Sequence, residues 1–280
     1  MIESALYIVP TPIGNLDDIT LRAIEVLKSA TLIAAEDTRH SKILLDKLGV
    51  GAVKMISCND HNEEQRALII ANEVQAGGIV ALISDAGTPM ISDPGYKLVS
   101  ALSEKKVKVV PLPGPCAAIT ALCASALPTD KFLFMGFLPV KDKELTQKLE
   151  SIRLSDTTTV FYESPRRIMN TLEKLQQVDP KRVVALCREM TKTFETIYRT
   201  NVSDLITYLQ EHSDEVRGEF VLVVGPHISD EQDDELSDSA KSALAKMITS
   251  MKVKEACQIV SDLTGESKNK LYDYALSLKE

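Results

Sequence analysis

Short, largely apolar runs recur through the first part of the chain at residues 6–9, 32–35, 53–56, 79–83 and 107–110. Between them the hydrophobic positions return every three to four residues, the spacing of an amphipathic helix. After the first run, Leu16, Ile19, Ala23 and Leu27 share one face, Asn15 stands where it can cap the helix, and Asp17 and Asp18 fall in the first turn. Strands alternating with helices predict an α/β fold whose parallel sheet is covered on both faces. Farther on, strands are predicted at 132–137, 158–162, 182–187 and 220–224, with helices at 166–177 and 202–210. Their uneven spacing predicts a mixed sheet. Near the end, Val253, Ala256, Ile259, Val260 and Leu263 precede a Thr264-Gly265 break, and Leu271, Tyr272, Ala275 and Leu276 follow it. That pattern predicts two short helices about a glycine turn, as in helix-turn-helix units. The expected organisation is an N-terminal α/β domain at 1–114, a second α/β domain at 115–227, a linker at 228–240 and a helical tail at 241–280.

Three of the first-half strands break off into loops rich in proline and glycine. These are Pro10-Thr11-Pro12-Ile13-Gly14-Asn15, the run from Ser84 to Gly95 with its Gly87-Thr88-Pro89 and Asp93-Pro94-Gly95 turns, and Pro111-Leu112-Pro113-Gly114-Pro115-Cys116. A strand that stops abruptly leaves backbone groups unpaired at its carboxyl end, where open α/β sheets bind ligands. Each loop alone also reads as an ordinary strand-to-helix turn. Three of them following three strands predict one composite pocket.

At 280 residues and 44% hydrophobic composition, the chain can bury a substantial core. No apolar run is long enough to span a bilayer, and no charged-then-apolar leader follows Met1, so a cytoplasmic protein is expected. Five scattered cysteines without a C-x-x-C pair fit reduced thiols, and the four histidines form no metal-binding set, so no metal is expected. The phosphate-cradling G-x-x-x-x-G-K-[ST] loop and the G-x-G-x-x-G fingerprint are both missing. The formal net charge of −8 argues against a nucleic-acid partner until its distribution is considered. Six acids and no base fall within 228–240, which leaves −2 for the remainder and makes local basic clusters worth reading.

Three polar clusters carry candidate chemistry. Glu36-Asp37-Thr38-Arg39-His40 follows the strand at 32–35, so Asp37 can orient or deprotonate a hydroxyl while Arg39 holds a phosphate; the same residues also suit the start of a helix, with Asp37 as its cap. In Glu163-Ser164-Pro165-Arg166-Arg167, Pro165 fits a first helical position and places Arg166 and Arg167 at an anion-attracting helix mouth. The pair reads as a phosphate site or as solvated surface. Arg188, Glu189, Lys192 and Glu195 form either a substrate-facing set or a structural ion network.

The motifs VPTPIGNL, AEDTR, SDAGTPMISDPG, PLPGPCAA, GFLP, FYESPRR, CREMTK with a downstream Glu195, and GEFVLVVG occur in that order. This series resembles the tetrapyrrole methylase superfamily of S-adenosylmethionine-dependent enzymes, and within it the branch that 2′-O-methylates cytidine in small-subunit ribosomal RNA. Porphyrin-precursor methylases typically carry Gly-Asp-Pro where this chain has Gly87-Thr88-Pro89. Arg166 departs from the histidine of the Y-E-S-P-H-R pattern. The resemblance implies two α/β domains with S-adenosylmethionine in the cleft between them, a homodimer, 16S ribosomal RNA or the small ribosomal subunit as partner, and no membrane association. It further implies a donor pocket built from Pro12, Ile13, Asp85, Gly87, Thr88, Ile91, Cys116, Ala117, Tyr162 and Leu186.

Methyl transfer to a hydroxyl requires in-line alignment and a group that takes the hydroxyl proton. The candidates for that group are, in order, Glu189, Asp37 and a deprotonated Lys192. RNA contacts are expected from Arg39, Arg166, Arg167 and Arg188, and, where the resemblance is followed, from Lys252 and Lys268 of the mildly basic tail, which reads equally as a packing or dimer-stabilising appendage. Two other functions are consistent with the sequence: a methyltransferase acting on a small tetrapyrrole-type precursor, and a ribosome-assembly module that binds without turnover.

Overall fold

The computed structural model describes residues 2–227 and 236–278, which fall into two compact units, 1–227 and 228–280. The stretch 228–235, most of the expected acidic linker, lies outside the described residues. In the larger unit, β1 (Ala5–Ile8), β2 (Leu32–Ala35), β3 (Lys54–Ser57), β4 (Ile79–Ile83) and β5 (Val109–Pro111) form a parallel sheet in the order β3-β2-β4-β1-β5. Side chains alternate between two cores, as strand geometry requires. Tyr7, Ile33, Ala81 and Ile83 pack with Ala23, Val26 and Leu27 of α1 (Leu21–Ser29) and with Leu45 of α2 (Thr38–Lys47). Leu6, Leu32, Val80 and Leu82 pack on the other face with α3 (Glu63–Gln75) and α4 (Tyr96–Glu104). Burial on both faces is why the central strands β1, β2 and β4 are apolar throughout, whereas the edge strand β3 carries an exposed Lys54.

Strand order fixes where a ligand can enter. The connection from β1 through α1 leads to β2 on one side, and the connection from β4 through α4 leads to β5 on the other. Helices α1 and α4 cover opposite faces, so the neighbouring strands β1 and β4 send the chain to opposite sides of the sheet. The carboxyl edge at this point is the switch point of the open α/β sheet, where such folds bind ligands.

The second sheet is mixed, in the order β6-β7-β10-β8-β9. Its strands are β6 (Phe132–Phe137), β7 (Thr158–Glu163), β8 (Val183–Arg188), β9 (Thr196–Asn201) and β10 (Phe220–Val224). Val160, Ala185, Cys187, Val221 and Val223 face α5 (Ala117–Ala124), while Phe161, Val184, Leu186, Phe220 and Leu222 face a core shared with α6 (Asp142–Glu150), α7 (Ile168–Val178) and α8 (Val202–Glu211). Ile13, from the loop after β1, packs against the α5 side, so the first loop bridges both sheets.

Two local readings change. Asn15 caps only a single 3-10 turn (Leu16–Asp18), and α1 begins after a second cap, Thr20, whose hydroxyl accepts from the Ala23 amide. The predicted helix from residue 166 starts at Ile168, with residues 165–167 forming a turn before it. Strand β9 was not predicted; as a sheet edge of mixed polarity it lacks the apolar run that marks the others.

In the smaller unit, α9 (Asp238–Met247), α10 (Val253–Thr264) and α11 (Lys268–Ser277) enclose a core of Leu236, Ala240, Leu244, Ala256, Cys257, Val260, Leu271 and Ala275. Gly265 ends α10 in the left-handed conformation at φ +76°, the role that the sequence break suggested. Helix α9 begins inside the stretch expected to be linker.

Candidate active site

The three proline-glycine loops meet. Thr11 and Gly87 exchange backbone hydrogen bonds of 2.9 and 3.0 Å, joining the first loop to the second. The Thr88 hydroxyl donates to the Pro115 carbonyl at 2.8 Å, joining the second to the third. Gly114 lies so close to Pro10 that a β-carbon on it would stand 2.5 Å from the proline ring. The second loop is strained as well as shaped: Met90 and Ser92 have φ of +71° and +69°, and Gly87 and Gly95 are also in positive φ. Non-glycine residues there cost about 1–3 kcal/mol each and persist where surrounding structure holds them, a recurrent property of ligand sites. Ser84 does part of that holding, its hydroxyl lying 3.3 Å from both the Ala86 and Gly87 carbonyls.

These loops and the second sheet enclose a cavity of about 400 Å³. From the first sheet come Ile13, Glu36, Asp85, Gly87, Thr88, Ile91 and Asp93; Cys116 and Ala117 stand at the start of α5; Tyr162, Glu163, Met190, Glu219 and Val221 line the opposite side. Eight of the ten expected donor residues therefore surround one space: Ile13, Asp85, Gly87, Thr88, Ile91, Cys116, Ala117 and Tyr162. Pro12 does not line it. Leu186 is a correction: strand alternation buries its side chain against the opposite core, facing away from α5.

The candidate proton acceptors are also corrected. Asp37 caps α2, accepting from the Arg39 amide at 2.8 Å, and pairs with the Arg39 guanidinium at 2.8 Å. The side-chain hydrogen bond from Arg39 holds its carboxyl far below the usual range, and it is not among the cavity residues. Glu189 accepts from Lys192 Nζ at 2.9 Å and from the Glu219 amide at 3.0 Å. Burial raises its pKa, but the hydrogen bonds from Lys192 and the Glu219 amide outweigh that and leave it lowered. Lys192 bridges Glu189 and Glu219, both at 2.9 Å; burial lowers its pKa, the two carboxylates raise it by more, and the amine is held protonated. This cluster is an ion network at the cavity's edge, braced by the Thr191 hydroxyl, which accepts from the Asn15 amide at 3.1 Å.

Better-placed carboxyls are Glu36 and Asp93, which line the cavity with Asp85 between them in charge effect. Burial, then repulsion from Asp93 and Asp85, raises Glu36 above the ordinary glutamate range. Burial also raises Asp93, partly offset by a hydrogen bond from Ser84. Such groups bind a proton more readily than solvent-exposed carboxylates do. The sequence signal for Glu36 was its place at a strand's carboxyl end; Asp93 was hidden among turn residues.

The basic residues separate in the same way. Arg167 donates from Nη2 to the Leu138 and Pro139 carbonyls at 2.8 and 2.9 Å and lies 3.4 Å from the buried Glu163 carboxylate, so it clamps the β6–α6 loop. Arg188 is buried and donates to the Arg217 carbonyl. Neither is available to RNA phosphates. Arg166, Arg39 and, in the smaller unit, Lys252 are exposed, whereas Lys268 is half-buried and donates to Gln258. Among the described residues, no group of potential metal ligands occurs and no helix is long and apolar enough to cross a membrane.

Comparison with known proteins agrees with this architecture. Residues 5–206 match the family model for Tetrapyrrole (Corrin/Porphyrin) Methylases, and residues 234–279 match the RsmI C-terminal HTH domain. The chain is 48% identical to the ribosomal RNA small subunit methyltransferase I of Haemophilus influenzae, covering 97% of this chain and 96% of that one. It is 46% identical to the protein of the same name from Escherichia coli O157:H7, covering 98% and 95%. Among solved structures, diphthine synthase aligns with a TM-score of 0.59 at 14% identity, covering 81% of this chain and 92% of that one. Uroporphyrin-III C-methyltransferase from Thermus thermophilus, complexed with S-adenyl homocysteine, aligns with a TM-score of 0.53 at 20% identity, covering 79% and 97%. These two likenesses concern the fold alone. With its loops, cavity and full-length relatives in agreement, the chain belongs to the tetrapyrrole methylase family of methyltransferases, in the group of the ribosomal RNA small subunit methyltransferase I proteins.

Proposed function

We propose that this protein transfers a methyl group from S-adenosylmethionine to the ribose 2′-hydroxyl of a cytidine in 16S ribosomal RNA, acting in the cytoplasm as a homodimer. One observation carries the reading: the cavity is lined by five carboxylates (Glu36, Asp85, Asp93, Glu163 and Glu219) and by no Lys, Arg or His among the described residues. Glu163 and Glu219 have Arg167 and Lys192 as partners, so Glu36, Asp85 and Asp93 give the lining its acidity, which suits a cationic, phosphate-free small molecule. The apolar residues Ile13, Cys116, Ala117, Met190 and Val221 suit a neutral adenosine. Gly87 matches close approach, since a β-carbon there would meet Ile13 Cγ2 at 3.2 Å.

When bound, S-adenosylmethionine supplies a methyl carbon activated by positively charged sulfur. The chain's own residues hold and orient: Ile13, Thr88, Ile91, Cys116, Ala117 and Tyr162 form the binding walls. Tyr162 is locked, its hydroxyl accepting from the Ala118 amide at 3.2 Å, with burial foremost in raising its pKa so that the phenol stays neutral. The hydroxyl proton of the acceptor passes to the Glu36–Asp93 pair, which replaces Glu189, Asp37 and Lys192 as proton acceptor. RNA phosphates are held outside the cavity by exposed cations such as Arg166 and Arg39.

Incubation with methyl-labelled donor and small ribosomal subunits, followed by digestion to nucleosides, tests this. Labelled 2′-O-methylcytidine is the expected product. Label elsewhere, or none, rejects the reading; turnover of a tetrapyrrole precursor with subunits left unlabelled would replace it.

A further inference from the structure

Strand β6 contains an irregularity that a simple sheet edge does not require. Phe132, Leu133 and Phe134 pair in register with Thr158, Thr159 and Val160, but the next pair is Phe137 with Tyr162, so Met135 and Gly136 together stand opposite Phe161. A regular strand would send residues 134 and 137 to opposite faces. The extra residue resets the alternation, and both rings meet Tyr162 edge-on, at centroid distances of 5.0 and 5.6 Å. Met135 and Leu138 pack instead into the core on the far face. Gly136 makes the bulge at φ +61°, and a β-carbon there would stand 3.0 Å from Ser92 Oγ of the second loop. Bulges near active sites commonly re-aim a side chain. Here the result is a phenylalanine that borders the cavity yet remains 60% exposed.

We propose that Phe137 is the stacking platform for the base of the nucleotide being methylated, and so a substrate-positioning residue. This rests on reading the cavity as an RNA methylation site. The acidic first-sheet side of the cavity, with Glu36, Asp85 and Asp93, disfavours the RNA backbone, so the part of the acceptor that enters is uncharged: a ribose hydroxyl and its base. Single-stranded bases are held chiefly by stacking on aromatic side chains. Phe137 has the open surface for this, and the immobilised Tyr162 behind it fixes the ring's position.

Steady-state kinetics on small ribosomal subunits, with donor affinity measured separately by calorimetry, tests the assignment. Phe137→Ala should raise KM for the subunit by about 5- to 150-fold, the range of a lost base–aromatic stack, with donor Kd and thermal midpoint nearly unchanged. Phe137→Tyr and Phe137→Trp should restore KM, and Phe137→Leu should not. Equal weakening of donor binding in Phe137→Ala would assign the ring to the donor instead. A leucine variant as good as phenylalanine, or an alanine variant with normal KM, would reduce Phe137 to apolar filling. A wild-type protein that methylates no RNA would overturn the reading of the site itself, an outcome visible before any variant is made.

Discussion

One wall of the cavity is made of backbone and the other of side chains. The loops after β1, β4 and β5 hold their shape through main-chain hydrogen bonds, prolines and glycines placed where a β-carbon would collide. The second-sheet wall depends on side-chain partners: Arg167 on Glu163, Lys192 on Glu189 and Glu219, Tyr162 on α5. The backbone wall takes its form from the main chain and carries Asp85 and Asp93, while the carboxylates of the side-chain wall, Glu163 and Glu219, are each paired with a cation. The two should therefore fail differently when damaged.

The largest effect is expected from the first-sheet carboxyls, Asp93 in the loop after β4 and Glu36 directly after β2. Asp93→Asn and Glu36→Gln keep the side chain's shape and remove the proton acceptor. Loss of a general base typically costs about 10²- to 10⁴-fold, so kcat should fall by that order while donor Kd stays within a few-fold. Because both groups have folded pKa values above their ordinary ones, the wild-type rate should decline on acidification at a higher pH than an ordinary carboxylate would give. The stability sign follows: a raised carboxyl pKa destabilises the fold at pH above it, so Glu36→Gln should raise the thermal midpoint at neutral pH. Full activity in both variants would remove the pair from the mechanism.

Gly114→Ala is the corresponding test of backbone shape. Its new methyl would overlap Pro10, so the first and third loops must part. Displacements on that scale cost up to about 100-fold in positioned sites, and donor affinity should drop accordingly with the sheets intact by circular dichroism. Unaltered affinity would mean that the loops are not coupled.

This division explains how much was legible in the chain. Proline and glycine constrain their own backbone, so the three loops were readable without knowing their neighbours, and eight of the ten residues that the family resemblance pointed to line one cavity. A charged side chain is defined by its partner. Nothing local tells that Arg167 turns inward to the Leu138 and Pro139 carbonyls while Arg166, one residue earlier, stays in solvent. The same holds for Asp37, whose capping role and catalytic role share one sequence pattern. Leu186 failed for a simpler reason: a one-residue shift along β8 exchanges faces of the sheet. Phe137 was out of reach because the bulge that aims it is a property of pairing, with Gly136 as its sole trace.

The two arginines provide a contrast of intermediate size. Arg167→Ala leaves the buried Glu163 without its cation and two carbonyls without a donor, and should cost about 2–3 kcal/mol of stability, measured by denaturant unfolding. Arg166→Ala should change stability by less than about 0.5 kcal/mol and weaken binding of ribosomal RNA, with a shallower salt dependence. Equal destabilisation by both would place Arg166 in the structural clamp as well.

A smaller effect than that of Arg167→Ala belongs to the ion network of the side-chain wall. Glu189 has a folded pKa below its ordinary value. Its stabilising contribution is therefore complete above the ordinary glutamate pKa and is lost as pH falls through the lowered one. Glu189→Gln keeps the acceptor for the Glu219 amide but removes the charge facing Lys192, and partial exposure limits the loss to about 1 kcal/mol. The thermal midpoint of the variant should lie below wild type at neutral pH and converge with it on acidification. Neutral-pH turnover with saturating donor should persist, since the proton acceptors are on the opposite wall. A loss of turnover as large as that in Asp93→Asn, with normal folding, would return the catalytic role to Glu189 and erase the functional distinction between the walls.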